Sequence, residues 1–385
     1  MLAVFEVDEF AQIPHLIRML TTGDSIYQTL RNFAVYLHYH YGYPFYFISA
    51  LILLPLKMIS GSAWAQMTTS IMLWLRQGIN VFPMILALIL LVFAQTNFKS
   101  KWRTVALFTI LISVPATFKN NLWWHPDSLA FFFVVVTITF LLRDKLQFRR
   151  NFYFAAASCG LAAGTKLLGF FFVLTIPTVL LFALYQKIIN WKKLIISSTL
   201  FVLCMLLSIL ISNPLLFLPL ERAEIIQTQI LQFQQISFGN LLIKPEIAFS
   251  GGYPVILRDQ FGLLAFVLLA IISVFIGLTR NETRFLNLII LSWMIPIGVV
   301  TIFVATLRTH YLIPFLLPAF SSLNNLFPER NRQSKDKKTL LDKYKTLIPG
   351  ILLLLIGTQF FLFTRTNINQ YTEQINREAQ SLIKS

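Results

Sequence analysis

The sequence predicts an all-α, polytopic bundle of transmembrane helices, and three observations carry the prediction. Of its 385 residues, 56% are hydrophobic and 12% charged, whereas a soluble domain carries about 25% charged residues. The apolar residues gather into long stretches with almost no charge. Each is long enough to cross a hydrocarbon core of roughly 30 Å as a helix whose backbone groups are satisfied internally. Segments such as Leu194–Ser212 and Phe261–Leu278 are apolar on every face, which the short alternating strands of a membrane barrel are not. About 10 to 12 spans are expected.

Residues 1–42 form a polar segment that bears Asp8, Glu9, His15, Arg18, Asp24, Arg31, His38 and His40, expected to lie outside the membrane. A hydrophobic span runs from Tyr43 to about Ile59, and the bundle continues to residue 364. The apolar candidates in it are 79–96, 104–118, 128–142, 151–165, 167–186, 194–212, 260–279, 285–305, 309–327 and 346–364. The breaks between them set orientation. Arg143, Lys145, Arg149 and Arg150 make one basic break, Lys187, Lys192 and Lys193 a second, Arg280 and Arg284 a third, and 330–345 the strongest. Placing all four in the cytoplasm requires the intervening spans to pair, and they do: 151–165 with 167–186, 194–212 with 260–279, and 285–305 with 309–327. The loop 328–345 is then cytoplasmic, and Asp127, Lys166, the loop 213–258, Arg308, His310 and the tail 365–385 share the outer side. The region 60–121 breaks the pattern. Lys99, Lys101 and Arg103 look cytoplasmic, so one crossing or three is required to keep Asp127 outside, through a short span over 63–77 or a re-entrant helix.

The net charge of +16 comes from short Lys and Arg clusters between apolar segments, which is positive-inside topology and argues against nucleic acid as a partner. Cys159 and Cys204 lie within apolar segments, without a second thiol at ligand spacing, and read as packing residues. The first hydrophobic run, Met1–Phe5, is followed at once by acidic residues, which is no cleavable signal pattern.

Four constellations carry the chemistry. Asp8-Glu9, ahead of Gly42-Tyr43-Pro44, is either a solvated acidic pair or the seat of a general base. Trp123-Trp124-His125-Pro126-Asp127-Ser128 has the marks of a helix start at a membrane interface, with His and Asp as potential chemistry on the same side as Asp8. Gly160–Lys166 ends a helix of small residues suited to close packing. Its lysine either snorkels or offers an ammonium to a lipid phosphate. Arg308-Thr309-His310-Tyr311 opens an inward span with a guanidinium suited to phosphate oxygens. In the outer loop, Glu221, Glu224 and the Gln-rich stretch Gln227–Gln235 read as an ordinary loop with one amphipathic helix or as the wall of a substrate groove.

In this order, Asp8-Glu9 with Gly42–Pro44, His125–Ser128, Gly160–Lys166 and Arg308–Pro314, the chain resembles the GT-C superfamily of membrane glycosyltransferases. The likeness is to the dolichyl-phosphate-mannose protein mannosyltransferase-like family and its bacterial and archaeal relatives. The resemblance implies a hexosyl, mannosyl-like donor on a polyprenyl or dolichyl phosphate. It also implies transfer with inversion to a protein, lipid or glycan acceptor, on the outer face of a plasma, inner or endoplasmic reticulum membrane. It makes Asp8 the base with Glu9 beside it, Asp127 the second acid, and Arg308 and Lys166 the holders of the donor phosphate. His125, His310 and Tyr311 then contact substrate. The family places a membrane helix before its first external loop, and only seven residues precede Asp8 here, so an upstream segment is expected. No ligand spacing indicates a metal, and a divalent ion is left as an open cofactor. The alternative is a transporter or flippase for a lipid-linked sugar, which predicts midplane charges and paired repeats; no repeat is visible, and most charges lie at helix ends.

Overall fold

A computed structural model describes residues 7–238, 252–300, 312–327, 350, 354–365, 368–369 and 372. Among those residues the regular elements are all helical. In chain order they are α1 (Val7–Met19), α2 (Ile26–Ala34), α3 (Tyr43–Ser60), α4 (Thr68–Leu75), α5 (Phe82–Thr96), α6 (Lys101–Ile112), α7 (Pro115–Lys119), α8 (Asp127–Asp144) and α9 (Arg150–Thr165). They continue as α10 (Ile176–Tyr185), α11 (Trp191–Ser212), α12 (Pro219–Phe238), α13 (Gly252–Phe261), α14 (Leu264–Thr279), α15 (Arg284–Val299), α16 (Ile313–Ser321) and α17 (Leu354–Arg365). Among the described residues, four helical stretches are long and apolar enough to cross a membrane: Tyr43–Gln66, Thr68–Thr96, Leu167–Tyr185 and Trp191–Ser212. Among the described residues this agrees with the predicted all-α membrane bundle.

Helix α8 defines two ends of the molecule. Asp127 opens it, Arg143 lies in its last turn, and a rise of 1.5 Å per residue separates them by about 24 Å. Lys145 closes it in the left-handed conformation, and the Asp144 carboxylate accepts the Phe148 and Arg149 amides at 2.7 and 3.0 Å. That fixes the turn into α9, which returns to the Asp127 end. A Leu167–Thr175 3₁₀ segment and α10 run back to the Arg143 end, where Phe182 stacks on Phe285. Helix α11 then lies parallel to α9, matching Phe152 to Phe201 and Cys159 to Met205. Small residues permit this approach: a Cβ on Gly160 would stand 2.5 Å from the Met205 carbonyl oxygen. Helices α9 to α11 and α14 to α16 alternate in direction between the two ends, and the turn of the third expected hairpin, 301–311, lies outside the described residues.

The region 60–121 corrects the expected parity. Helix α4, a π-turn over Arg76–Val81 and α5 form one uninterrupted helix, Thr68–Thr96. Asn80 lies at the Asp127 end, donating to the His125 carbonyl, and Phe93 lies under the Arg143 guanidinium at the other. Helix α6 returns, which makes two passages between the ends, neither one nor three. Parity holds because α3 never reaches the Arg143 end. It starts against α9, where the Gly42 amide donates to the Thr165 carbonyl at 3.1 Å. It meets Trp124 at Ser49 and Gly78 at Ile52, and in its last turn Lys57 Nζ donates to the Leu20 carbonyl just beyond α1. Helices α1, α3 and α4 with Trp124 therefore build a second hydrophobic cluster beside the main one.

Candidate functional site

The segment Trp123–Ser128 is held from four sides at the Asp127 end. The Trp124 indole is fully buried, stacks on Phe45 with centroids 5.0 Å apart, and donates its Nε1–H to Ser49 Oγ at 3.0 Å. Its backbone amide donates to Glu9 Oε1 at 2.5 Å. Asn80 Nδ2 donates to the carbonyls of Asn120 and His125 at 3.3 and 3.0 Å, and Asn120 Nδ2 donates to Ser128 Oγ at 2.6 Å. Trp123 stacks on the His125 ring at 4.1 Å and 10°.

These restraints place a chain of ionisable groups. Asp127 and His125 are each 2% exposed. Asp127 Oδ2 lies 2.5 Å from His125 Nδ1, and His125 Nε2 lies 2.7 Å from the Tyr41 hydroxyl. The other carboxylate oxygen pairs with Lys166 Nζ, which stands at the C-cap of α9. A carboxylate facing Nδ1 keeps the proton there, so Nε2 is the nitrogen that exchanges with the Tyr41 hydroxyl. Asp127 also begins a helix, where the amide dipoles favour its negative charge. Lys166 neither snorkels nor stands alone: it lines both a narrow cleft with Asp127, Phe131 and Trp293 and a cavity of about 140 Å³ with Tyr39, His40, Asn213 and Gln229. Helix α12, the helix expected in the outer loop, closes that cavity through Gln229 Nε2, which donates to the Tyr39 carbonyl at 2.8 Å.

Glu9 is engaged differently. It is fully buried, and Arg76 grips it with two bonds, Nε to Oε1 at 2.9 Å and Nη2 to Oε2 at 2.6 Å. Asp8 is in α1; its side chain, and Arg308, His310 and Tyr311, lie outside the described residues. Beyond the ion pairs, His15, His38 and His40 form a ring cluster, with centroids 5.2 and 4.6 Å apart, and His40 lines the cavity. His38 Nδ1 meets the Tyr46 hydroxyl at 2.5 Å. Burial, then the charges of His40 and His15, push His38 down to about 4. Among the described residues no group of three or more His, Cys, Asp or Glu side chains suits a metal ion. His125 and Asp127 offer ligand atoms, but to each other.

The structure thus brings together three of the four motifs read from sequence. A Cβ on Gly42 would collide with the Gly164 carbonyl oxygen, and Asn213 Oδ1 accepts the Tyr43 amide at 2.9 Å beside them. Sequence reasoning missed Tyr41, Arg76 and Asn80. The last two had a signal, since polar side chains inside an apolar run ask for buried partners.

No protein-family model matches the chain, and no curated protein matches it. Among solved structures it is similar to the crystal structure of ArnT from Cupriavidus metallidurans bound to undecaprenyl phosphate. The TM-score is 0.54 at 13% identity, over 74% of this chain and 49% of that one. The match therefore spans about half the length of that protein. It shows that this chain shares that protein's fold, all-helical among the described residues, as the sequence predicts.

Proposed function

We propose that the chain is an integral membrane glycosyltransferase that moves a sugar from a polyprenyl-phosphate-linked donor to an acceptor hydroxyl, with inversion. The observation that supports this best is the buried His125–Asp127–Lys166 cluster, set beside a cavity in a fold shared with a protein solved with undecaprenyl phosphate. The chemistry asks for two things. An acceptor O–H must lose its proton as its oxygen attacks the anomeric carbon, and the C–O bond to phosphate breaks with its electron pair going to the phosphate. The leaving lipid phosphate gains a negative charge, so cations placed at it stabilise the transition state. A single displacement inverts the anomeric centre.

In this reading a carboxylate, Asp8 or Asp127, takes the acceptor proton. Lys166, together with Arg308, holds the donor phosphate, and its pairing with Asp127 offsets the cost of burying the ammonium. His125, His310, Tyr311 and Tyr41 contact substrate, while Glu9 acts through Trp124 as a positioning residue. The donor sugar is a hexose, mannose first among candidates, and the acceptor a protein, lipid or glycan. The Asp127 end faces away from the cytoplasm of a plasma or inner membrane, because Arg143, Lys145 and Arg280 mark the opposite end.

The test is transfer of labelled sugar from a panel of polyprenyl-phosphate donors by membranes containing the chain, with Lys166→Met as the comparison. Transfer that falls about 100-fold in the variant, the scale of one lost charge-stabilising donor, supports the assignment. Lipid-linked sugar that changes leaflet without transfer would sink it in favour of a flippase.

A further inference from the structure

Helix α2 is turned inside out for a helix bathed in water. Its polar side chains are spent on the protein. Asn32 is buried and its Nδ2 donates to the Thr21 carbonyl at 3.1 Å, while Gln28 Nε2 donates to Asn32 Oδ1 at 3.3 Å. Thr29 Oγ1 accepts the Gly23 amide at 3.0 Å and donates to the Ser25 carbonyl at 3.0 Å. Phe33 turns inward too, onto Phe47 of α3. Ile26, Tyr27 and Leu30 point the other way and are 82, 72 and 63% exposed. At 100° per residue these three fall within one arc of about 100°, and Arg31, also exposed, follows at its edge. A helix on the surface of a soluble protein has the opposite arrangement, its apolar stripe toward the core and its polar face outward.

The level at which α2 sits says what covers that face. Helix α11 is long and apolar enough to cross a membrane and ends at Ser212, with Ile211 76% exposed, so the hydrocarbon boundary lies near Asn213. Asn213 Oδ1 accepts the Tyr43 amide where α3 begins. Helix α3, apolar as it is, does not descend from there. Its successive contacts are Gly42 to the Thr165 carbonyl, Ser49 to Trp124 and Ile52 to Gly78. All three lie at the Asp127 end, although residues 42 and 52 are about 15 Å apart along a helix. Helix α3 therefore runs across the end of the bundle and not through the bilayer. Helix α2 is tied to it at both ends: Phe33 meets Phe47, and the Leu20 carbonyl, ahead of α2, takes Lys57 Nζ. That holds α2 at the boundary, where a tyrosine and an arginine beside an apolar face suit the level of the lipid headgroups.

We propose that α2 is an interfacial helix: its Ile26–Tyr27–Leu30 face inserts among the lipid chains of the leaflet at the Asp127 end, with Arg31 at the phosphates. The loop from α2 to α3 carries Tyr39, His40 and Tyr41 to the cavity beside Lys166. Insertion of α2 thus seats the rim of that cavity at headgroup level, where the phosphate of a membrane lipid lies. The inference rests on the membrane fold and not on the sugar-transfer reaction.

The experiment places a nitroxide at Ile26→Cys or at Leu30→Cys in the full chain carrying Cys159→Ala and Cys204→Ala, reconstituted in nanodiscs of phosphatidylcholine and phosphatidylglycerol. Leu207→Cys, on the exposed side of α11, is the lipid reference, and Glu282→Cys, exposed in the turn before α15, the aqueous one. Collision of the label with oxygen, which concentrates among acyl chains, is compared with collision with a water-soluble nickel chelate. The expected result is preference for oxygen at both α2 positions, as at 207, with a depth of about 5–10 Å below the headgroups. Preference for nickel, as at 282, puts the face in water and overturns the proposal. Shielding from both reagents means that protein covers the face, a second copy or another segment, and overturns it equally. Should the cysteine-free chain not fold, the native chain is labelled from a lipid carrying a carbene precursor in its acyl chain. Adducts on 26–30 together with α11 support the site, and adducts on α11 without 26–30 overturn it.

Discussion

Glu9 and Asp127 are both buried carboxylates at one end of the molecule, and Trp124, which Glu9 holds, belongs to the same short segment as Asp127. Their surroundings nevertheless differ in kind. Glu9 is closed off: Arg76 grips both of its oxygens, and the Trp124 amide takes a further bond. Asp127 shares its oxygens between an imidazole and a lysine, and that lysine lines a cavity. A carboxylate with both oxygens committed to a guanidinium and an amide holds structure. One whose partners continue to a phenol on one side and a cavity on the other can pass charge or protons onward.

The comparison breaks most readily at Glu9. Glu9→Ala strands a buried guanidinium, and the chain should lose about 3–5 kcal/mol of stability, read as a lowered melting temperature in detergent. Glu9→Leu with Arg76→Met should recover most of it, because apolar replacement removes both charges together. Asp127→Asn should do the reverse: a smaller loss of melting temperature and a loss of sugar transfer of about 100-fold. Transfer per folded molecule that stays at the wild-type level would remove Asp127 from the chemistry. Tyr41→Phe takes the hydroxyl from His125 Nε2 and should cost about 1 kcal/mol, measurable as a small shift of the melt. The most local effect belongs to His38, which burial holds down to about 4. Its pKa is lowered by folding, so the unfolded chain binds the extra proton first. The stability it contributes is present above its ordinary value of 6.5 and is lost as pH falls toward 4. Hydrogen exchange across 35–42 should quicken over that window; exchange that stays flat across it removes the effect.

Much of this was legible in the sequence. The Lys and Arg breaks located the hairpins because charges at helix ends report sidedness directly. His125, Asp127 and Lys166 stood out because ionisable residues at the ends of apolar spans are costly unless they are used. Their pairing was not legible, since Lys166 meets Asp127 across 39 residues of separation and nothing in local spacing reports such a contact. Glu9 read as a candidate base for the same reason: its partner Arg76 is 67 residues away. The short span weighed over 63–77 failed because a π-turn leaves no hydrophobic period to read, so a single helix of 29 residues looked like separate pieces.

That π-turn also sets a rotational phase. Arg76 and Asn80 both lie within it, one facing Glu9 and the other His125, and the wider turn fixes the angle between them. Removing Gly78 would restore ordinary α-helical winding and turn everything before it by about 100° relative to α5. Arg76 would swing off Glu9 while Asn80 kept its hold on the other side of the site. The one surplus residue therefore works as an indexing pin, holding the half of a long helix at the Asp127 end in angular register with the half that runs to the Arg143 end.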